Sequence, residues 1–556
     1  MSPPPLPSAS LARLPEVALA DTAGVLRLPA LVKGALVYPP PVSFETLSLA
    51  AAPVAAARPA AAAGTLGFRL DELQAIREPV LDRASGAATG EWRFLVFPRP
   101  DPRALLETDA AELARSLHAL PFGDVLDYVA ELRRVLADGR ERVLDAGRRI
   151  QAGSLVDERL LALVFELLPA LLDPELVAEA VDRELGGDGR PGRAYLDGWL
   201  GVESAAQRGM LARIAEQVFG PAGRGARFVP CVRAVPTRQL HVTAGNSPLV
   251  PLLSFLRGLA TKGACVVKSP AEACAAAAIL AAGMHAVDPD HPITRHTSLL
   301  YWPGGDRAIE DVLFAPGAFD RIVVWGSAES VASVKRRAPL VKTVALNPRY
   351  GLSLIGREAQ AGRLEEAAAR ASVDTLIWDQ KACTASLVHY VEGDEAAALA
   401  YCRALQAALA RWDERLKRPL PRASLGRLRL LKRGALMQGT WFQNGAGPEI
   451  TSAVVYAPAP FDLSLHPLSR LVVVRRVDRL EDVVPLVGPA AAAAGVFPDG
   501  AVARLRDALA AAGVSNVLPL GEVERSYPGI PHDGMRVLSE LVAWTSSGAF
   551  EDAGRR

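Results

Sequence analysis

At 556 residues the chain is too long for a single hydrophobic core, and a prior of ~150 residues per domain divides it into about three to four units. Its 62 Lys and Arg nearly cancel its 61 Asp and Glu, so no global field draws in nucleic acid or an anionic membrane surface. Five cysteines, an odd number without a C-x-x-C pair or His/Cys ligand spacing, argue against a disulfide framework and a zinc site and imply a reducing compartment.

The start, Met1-Ser-Pro-Pro-Pro-Leu, has neither a basic n-region nor a clean apolar run. No stretch of about 20 apolar residues lacks charge or Pro, so the expectation is a soluble, cytoplasmic protein without a membrane span. Residues 1–66 mix short β-like runs, Gly24-Val-Leu-Arg-Leu-Pro and Ala35-Leu-Val-Tyr, with an Ala/Pro tract from Ala50 to Ala63 broken only by Val54 and Arg58. Such a tract buries little surface and reads as a linker or poorly ordered arm. Residues 67–225 read as a mainly helical region, with apolar positions three and four apart in the segments beginning at Val125 and Leu160. The Gly186-Gly-Asp-Gly-Arg-Pro-Gly192 tract ends that pattern.

Between 226 and 356 strands alternate with helices. The strands expected are Gln239 to Thr243, Ala264 to Lys268, Thr297 to Trp302, Arg321 to Trp325 and Leu352 to Ile355; the helices are Pro248 to Ala260, Ala271 to Ala286 and Ala328 to Arg337. That alternation predicts an α/β fold with a parallel sheet covered on both faces, the architecture that binds dinucleotides at the carboxyl ends of its strands. The G-x-G-x-x-G fingerprint is absent. After Arg321-Ile-Val-Val-Trp325 comes Gly326-Ser327, a turn in which Ser327 can cap the next helix, and it serves equally as a phosphate-binding turn or as a plain connection.

Residues 357–525 form a second α/β region, with a helix over Ala396 to Ala410 and strands at Ser452 to Tyr456 and Leu471 to Val474, and 526–556 form a C-terminal segment. Four cysteines read as small buried hydrophobes: Cys265 in an apolar strand, Cys274 and Cys402 in helices, and Cys231 between Val-Pro and Val-Arg flanks. Cys383 differs. It lies in Trp378-Asp-Gln-Lys-Ala-Cys383-Thr-Ala-Ser386, a polar and small-residue stretch where a thiol would be reachable and its pKa lowered by backbone N–H groups.

Two further landmarks precede it. Asn246 ends a strand in Leu240-His-Val-Thr-Ala-Gly-Asn246-Ser247-Pro248, and Lys268 ends the next in Val-Val-Lys268-Ser269-Pro. This order resembles the aldehyde dehydrogenase superfamily, in which a strand-end Asn shares an oxyanion hole with the catalytic cysteine and a Lys one strand later contacts the adenosine ribose. A more specific resemblance is to LuxC-type acyl reductases. It is carried by Leu240 to Asn246, His291-Pro-Ile-Thr-Arg with Leu300-Tyr-Trp-Pro, Asp379-Gln-Lys-Ala-Cys383, His466-Pro-Leu-Ser-Arg470, and His532-Asp-Gly-Met-Arg-Val-Leu, and it covers roughly Ala226 to Trp544.

The resemblance implies an NAD(P)H-dependent acyl-thioester reductase. Cys383 would be the nucleophile and Asn246 the oxyanion donor, with His532 as a candidate acid/base. Lys268, Ser269, Gly326 and Ser327 would bind NADPH or NADH. The acyl donor would be acyl-CoA or an acyl carrier or synthetase, and the assembly a homo-oligomer. Ordinary aldehyde dehydrogenases carry a water-activating Glu in a Glu-Leu-Gly-Gly segment, whereas the matching segment here reads Ala345-Leu-Asn-Pro-Arg-Tyr-Gly351, without a carboxylate. An acyl-enzyme would then persist long enough to be reduced. The alternatives are an oxidising aldehyde dehydrogenase and a non-catalytic reductase subunit. His241, His291 and His296 read as structural, and His466 and Arg470 match a motif without an evident role.

Overall fold

Both faces of a parallel sheet are covered, so its strands read as unbroken apolar runs rather than alternating ones. Arg321-Ile-Val-Val-Trp325 and Ala264-Cys-Val-Val-Lys-Ser269 fit that rule, buried along nearly their whole length. The computed structural model describes residues 14–551 except 23, 57–65, 71, 83–87, 153–157, 203–209, 211–212, 215, 221–226, 416–419, 421, 447–448 and 525–527.

The first sheet runs in the order Lys342–Leu346, Arg321–Trp325, Arg238–Val242, Ala264–Ser269, Thr297–Tyr301, Ala30–Val32 and Ala35–Val37. Its first five strands are parallel, and Ala30–Val32 and Ala35–Val37 add antiparallel at one edge. The second sheet runs Thr440–Asn444, Ser452–Tyr456, Leu471–Val477, Ser386–Glu392, Tyr350–Ile355, Ala491–Phe497 and Asn516–Pro519. All of its pairings are parallel except the first. This is the α/β architecture of mainly parallel sheets that the sequence predicts.

Three expectations are corrected. The strand over Leu352 to Ile355 does not join the first sheet; Tyr350–Ile355 sits in the middle of the second, between Ser386–Glu392 and Ala491–Phe497. Alternation reports that a strand exists, not which sheet it enters, and the missing fifth parallel strand is Lys342–Leu346, whose exposed first residue and mixed burial hide it. The described part of residues 1–66 is built into the fold rather than forming an arm: Ala30–Val32 pairs with Thr297–Tyr301, and Phe44–Ala56 is a helix that runs through Pro53 and the first part of the Ala/Pro tract. The rest of that tract lies outside the described residues. Finally, the region expected to be mainly helical opens with strands Leu66–Arg69, Leu73–Leu81 and Ala88–Pro98, joined with Leu19–Thr22 and Val25–Arg27 in a five-stranded sheet. The helices begin only after them. Phe122–Asp138 presents Val125, Tyr128, Val129, Leu132 and Leu136 at three and four spacing, and these pack in one core with Ala275, Ala278, Ile279 and Ala282 of Cys274–Val287.

The C-terminus returns to the first sheet. Val537 and Leu541 bury against Val323, Val344 and Leu346, and Ala543–Glu551 pairs antiparallel with Arg227–Val235. The turn before this helix is thereby brought to the carboxyl ends of the parallel strands. Among the described residues no helix is long and apolar enough to cross a membrane.

The first and second sheets each carry a fully buried imidazole. His241 is held by Ser254 Oγ at 2.7 Å and Gln239 Oε1 at 2.9 Å, and His389 by Tyr401 Oη at 2.9 Å and Thr375 Oγ1 at 3.2 Å. Burial pulls both down to about 3. Since the folded values lie below the ordinary histidine value, the unfolded chain takes up protons that the folded one refuses once the pH falls below about 6.5. The stability contribution is complete above that pH and is lost progressively towards the folded value. Urea midpoints are therefore expected to fall between pH 6.5 and 4, and His389→Gln should flatten that slope; an unchanged slope in the variant contradicts the assignment.

Candidate active site

The carboxyl ends of the first sheet's parallel strands and the amino ends of the second sheet's strands face a cavity of about 380 Å³. Asn246 enters from the loop after Arg238–Val242, Gly326 and Ser327 from the end of Arg321–Trp325, and Asn347, Pro348 and Arg349 from the link between the sheets. Cys383 comes from the loop before Ser386–Glu392, and His532 and Asp533 from the C-terminal turn. The structure thus brings together five of the seven residues singled out from sequence. Lys268 and Ser269 are not on this wall. Val242 pairs with Lys268 on one side and with Val324 on the other, so Lys268 and Gly326 flank the same strand end, two strand spacings or about 10 Å apart.

The loop that carries Cys383 has an unusual backbone. Trp378, Asp379 and Gln380 lie in succession at φ of 46°, 59° and 62°, a left-handed region that side chains with a Cβ avoid. Two contacts hold them there. Arg470, almost fully buried, donates from Nε to Asp379 Oδ1 at 2.5 Å and from Nη2 to Oδ2 at 3.3 Å. Gln380 pairs through its amide with one backbone residue, donating from Nε2 to Leu471 O at 2.7 Å and accepting from Leu471 N–H at 3.0 Å. His466 completes the clamp: Nδ1 accepts from Leu468 N–H at 3.2 Å, so Nε2 carries the proton and donates to Leu471 O at 3.0 Å. The motif His466-Pro-Leu-Ser-Arg470 therefore fixes the cysteine loop rather than contacting the cavity through its charged groups. On the other side Gly351 N–H donates to Ala385 O at 2.8 Å, and a Cβ at Gly351 would stand 1.9 Å from Thr384 O. Only glycine permits that approach beside the cysteine.

Asn246 Nδ2 donates to Lys381 O at 3.2 Å, tying the strand-end loop to the cysteine loop, and its buried Oδ1 has no partner among the described residues. Ser327 caps the helix Ala328–Arg337 by accepting from Ser330 N–H at 3.2 Å. Ser247 Oγ accepts from Leu249 N–H at 3.3 Å, just ahead of the helix that begins at Val250.

The electrostatics correct two expectations. Cys383 is partly buried and its pKa is not lowered. Burial, followed by the negative charges of Asp533 and Glu524, pushes the thiol up to about 12 against the opposing pull of its backbone N–H and Arg349. The loop leads into a strand, not into a helix whose N-terminus would stabilise a thiolate. His532 is not an ordinary acid/base either. Arg257 Nη2 lies 3.1 Å from His532 Nδ1, and a guanidinium can only donate, so Nδ1 is the acceptor and the neutral ring carries its proton on Nε2. Burial, then Arg257 and Arg349, bring the imidazole down to about 3.

Several residues at or behind the cavity wall escaped the sequence reading. Arg257 packs its guanidinium 4.8 Å from the Trp325 ring centroid, while His532 meets that ring edge-on at 5.2 Å. Its signal was available: it is the single charge in the apolar helix Val250–Ala260. Asp533 was visible only as a neighbour of His532. It takes φ of 52° followed by Gly534 at 78°, and His532 and Met535 exchange both backbone hydrogen bonds at 2.9 Å, the geometry of an Asp-Gly hairpin turn. Arg349 Nε lies 3.5 Å from Asp533 Oδ1. The structural assignment of three other histidines holds: His241 as above, His291 capping Ile293 N–H, and His296 between Ser116 and Glu107.

Known proteins resemble this chain in sequence and in fold. The acyl-CoA reductase (LuxC) family matches residues 233–544. A long-chain acyl-protein thioester reductase of Vibrio harveyi is 30% identical over 320 residues, 57% of this chain and 65% of that protein. One from Photorhabdus laumondii is 29% identical over 328 residues, again 57% and 65%. The chain thus matches just under two thirds of these relatives' length. Among solved structures, an oxidoreductase from Marinobacter aquaeolei superposes with a TM-score of 0.62 at 13% identity, covering 95% of this chain and all of that one. An NADP-dependent glyceraldehyde-3-phosphate dehydrogenase from Bacillus halodurans, complexed with NADP, does so with 0.59 at 15%, covering 85% and 95%.

Removing the guanidinium of Arg470 breaks its two-pronged ion pair with Asp379, and breaking a buried pair typically costs up to roughly 3–5 kcal/mol. Arg470→Ala is expected to lower the melting temperature and to raise the accessibility of Cys383 to an alkylating reagent as the left-handed run relaxes. A stable variant with native alkylation kinetics would remove the clamp from the account.

Proposed function

The chain belongs to the acyl-CoA reductase (LuxC) family, and from that premise we propose that it reduces an acyl thioester to the aldehyde with NAD(P)H through an S-acyl group on Cys383. The observation that carries this reading is the meeting of Cys383, Asn246, Gly326 and Ser327 on one cavity at the carboxyl edge of a five-stranded parallel run.

The residues at that edge fit a dinucleotide. Ser327 opens a ten-residue helix whose N-terminus adjoins the cavity, a position that favours a phosphate. Lys268 holds its ammonium 5.7 Å from the Trp302 ring centroid; burial draws its pKa down, and Glu310 and Glu272 counter this. A cation so placed suits the ribose or a 2′-phosphate, with Ser269 beside it. When bound, the cofactor supplies a hydride.

The chain's own residues do the rest. Cys383 Sγ attacks the thioester carbonyl of an acyl-CoA or acyl-carrier donor, and the donor thiol leaves. The Asn246 amide and the Cys383 backbone N–H are the donors for the oxyanion, each worth about 3–4 kcal/mol in sites of this kind. Leu346, Asn347, Pro348 and Arg349 make the wall where a water-activating carboxylate would stand in an aldehyde-oxidising enzyme, and none of them is acidic. That composition favours reduction over hydrolysis of the acyl-enzyme.

Incubation with palmitoyl-CoA and no reductant is expected to leave a hydroxylamine-labile acyl group, and addition of NADPH or NADH to release it as aldehyde. Cys383→Ser should abolish turnover, and Asn246→Ala should slow acylation by about 10² to 10³. Free carboxylic acid as the main product, or aldehyde made without a labelled cysteine, would contradict the proposal. For the cofactor, Lys268→Ala is expected to weaken nicotinamide dinucleotide binding by about tenfold, 1.4 kcal/mol, while leaving acylation of the protein nearly as fast. Unchanged cofactor affinity would remove Lys268 from the site.

A further inference from the structure

We propose that Asp533, and not its neighbour His532, is the base that takes the proton from Cys383 during acyl transfer, while His532 is held as a neutral hydrogen-bond donor by Arg257. The inference rests on Cys383 being the acylated residue and goes beyond it by assigning the proton.

The geometry separates the two neighbours. Cys383 Sγ, a ring nitrogen of His532 and a carboxylate oxygen of Asp533 all lie within 4.8 Å of one another. A base must offer a free lone pair. On His532 the lone pair of Nδ1 accepts from Arg257 and the other ring nitrogen carries hydrogen, so the ring has nothing left with which to accept a proton. On Asp533 the two oxygens differ. Oδ1 faces Arg349 Nε, whereas Oδ2 is buried and has no hydrogen-bond partner among the described residues. A carboxylate beside a thiol, with one of its two oxygens buried and without a donor among the described residues, is the arrangement that a proton transfer completes, directly or through one water. Asp533 is also the one acid on the cavity wall among the described residues.

The charges around the pair support the same direction. Cys383 is faced by Asp533, Glu524 and Arg349, and Asp533 by Arg349 and Arg257. Burial raises the Asp533 carboxyl above its ordinary range, and the two guanidiniums oppose this, so the carboxylate is a stronger base than an exposed one. Part of what holds the thiol protonated is the negative charge of Asp533 itself. Moving the proton to Asp533 removes that charge as the thiolate forms, so the transfer relieves its own obstacle.

The step balances without a redox partner. As the Sγ–C bond forms, the proton of Cys383 passes to Asp533 Oδ2; as the adduct collapses, the bond from carbon to the donor's sulfur breaks and that thiolate takes the proton back. Asp533 ends ionised, as it began.

The test is the pre-steady-state rate of palmitoyl transfer from palmitoyl-CoA to Cys383 across the pH range, in the native protein, Asp533→Asn, Asp533→Glu and His532→Gln. Asparagine tolerates the left-handed turn position, and NADPH binding by each variant verifies the fold. Asp533→Asn is expected to lose about 10² or more of the acylation rate at neutral pH and to recover with rising pH as the thiol ionises unaided; Asp533→Glu should restore part of the rate. His532→Gln, which keeps an N–H donor, should lose far less and keep the native pH profile. An Asp533→Asn variant acylated at close to the native rate, or a His532→Gln variant that loses as much and flattens the profile, overturns the inference while Cys383 stands. If the native protein takes no acyl group on Cys383, the nucleophile assignment itself fails, and this proposal with it.

Discussion

The contact between Arg470 and Asp379 joins segments 91 residues apart in sequence, and the geometry of the cavity depends on it. Three consecutive non-glycine residues in the left-handed region cost roughly 1–2 kcal/mol each, so Trp378, Asp379 and Gln380 would relax without an external restraint. The two-pronged ion pair and the paired hydrogen bonds of Gln380 to Leu471 supply that restraint. Leu471 begins a central strand of the second sheet, so the loop inherits the rigidity of the sheet. Gly351 then lets the neighbouring strand close up against Thr384. The cysteine is placed by packing on both sides, which is how a site achieves sub-ångström definition on a loop.

The same construction joins the two halves of the chain. The first sheet delivers Asn246 and the Gly326-Ser327 turn, the second delivers Cys383, and the C-terminal turn reaches back with His532 and Asp533. Two guanidiniums organise the charge in this space. Arg257, drawn down to about 10 chiefly by burial, sets the His532 tautomer and lies against Trp325; Arg349 holds one oxygen of Asp533. The cavity is therefore neither uniformly positive nor uniformly negative. It keeps a thiol, a carboxylate and a neutral imidazole within reach of one another, a combination suited to moving one proton.

Much of this was legible in the sequence. The strand-end positions of Asn246 and Lys268 and the polar setting of Cys383 point to the right neighbourhood, because strand periodicity and small-residue loops are local signals. The clamp was not legible, since Arg470 and Asp379 meet only in the fold and a run of left-handed residues has no signature in residues such as Trp, Asp and Gln. The thiol's raised pKa was also hidden: exposure can be guessed from flanking residues, but burial by the C-terminal turn and the charge of Asp533 come from a segment 150 residues away in sequence (533 − 383). The misplacement of Leu352 to Ile355 has the same origin. Local pattern identifies a strand, and only long-range pairing assigns it to a sheet.

Burial and the charges of Asp533 and Glu524 hold Cys383 as a protonated, partly buried thiol rather than as a stored thiolate. The direct measurement is the alkylation rate of Cys383 by iodoacetamide as a function of pH, with the labelled residue identified by peptide mapping. The account predicts slow modification at neutral pH and a titration midpoint well above that of a free thiol, about 8.5. A midpoint near or below neutrality would contradict it, because that requires a stabilised thiolate for which this cavity provides no place.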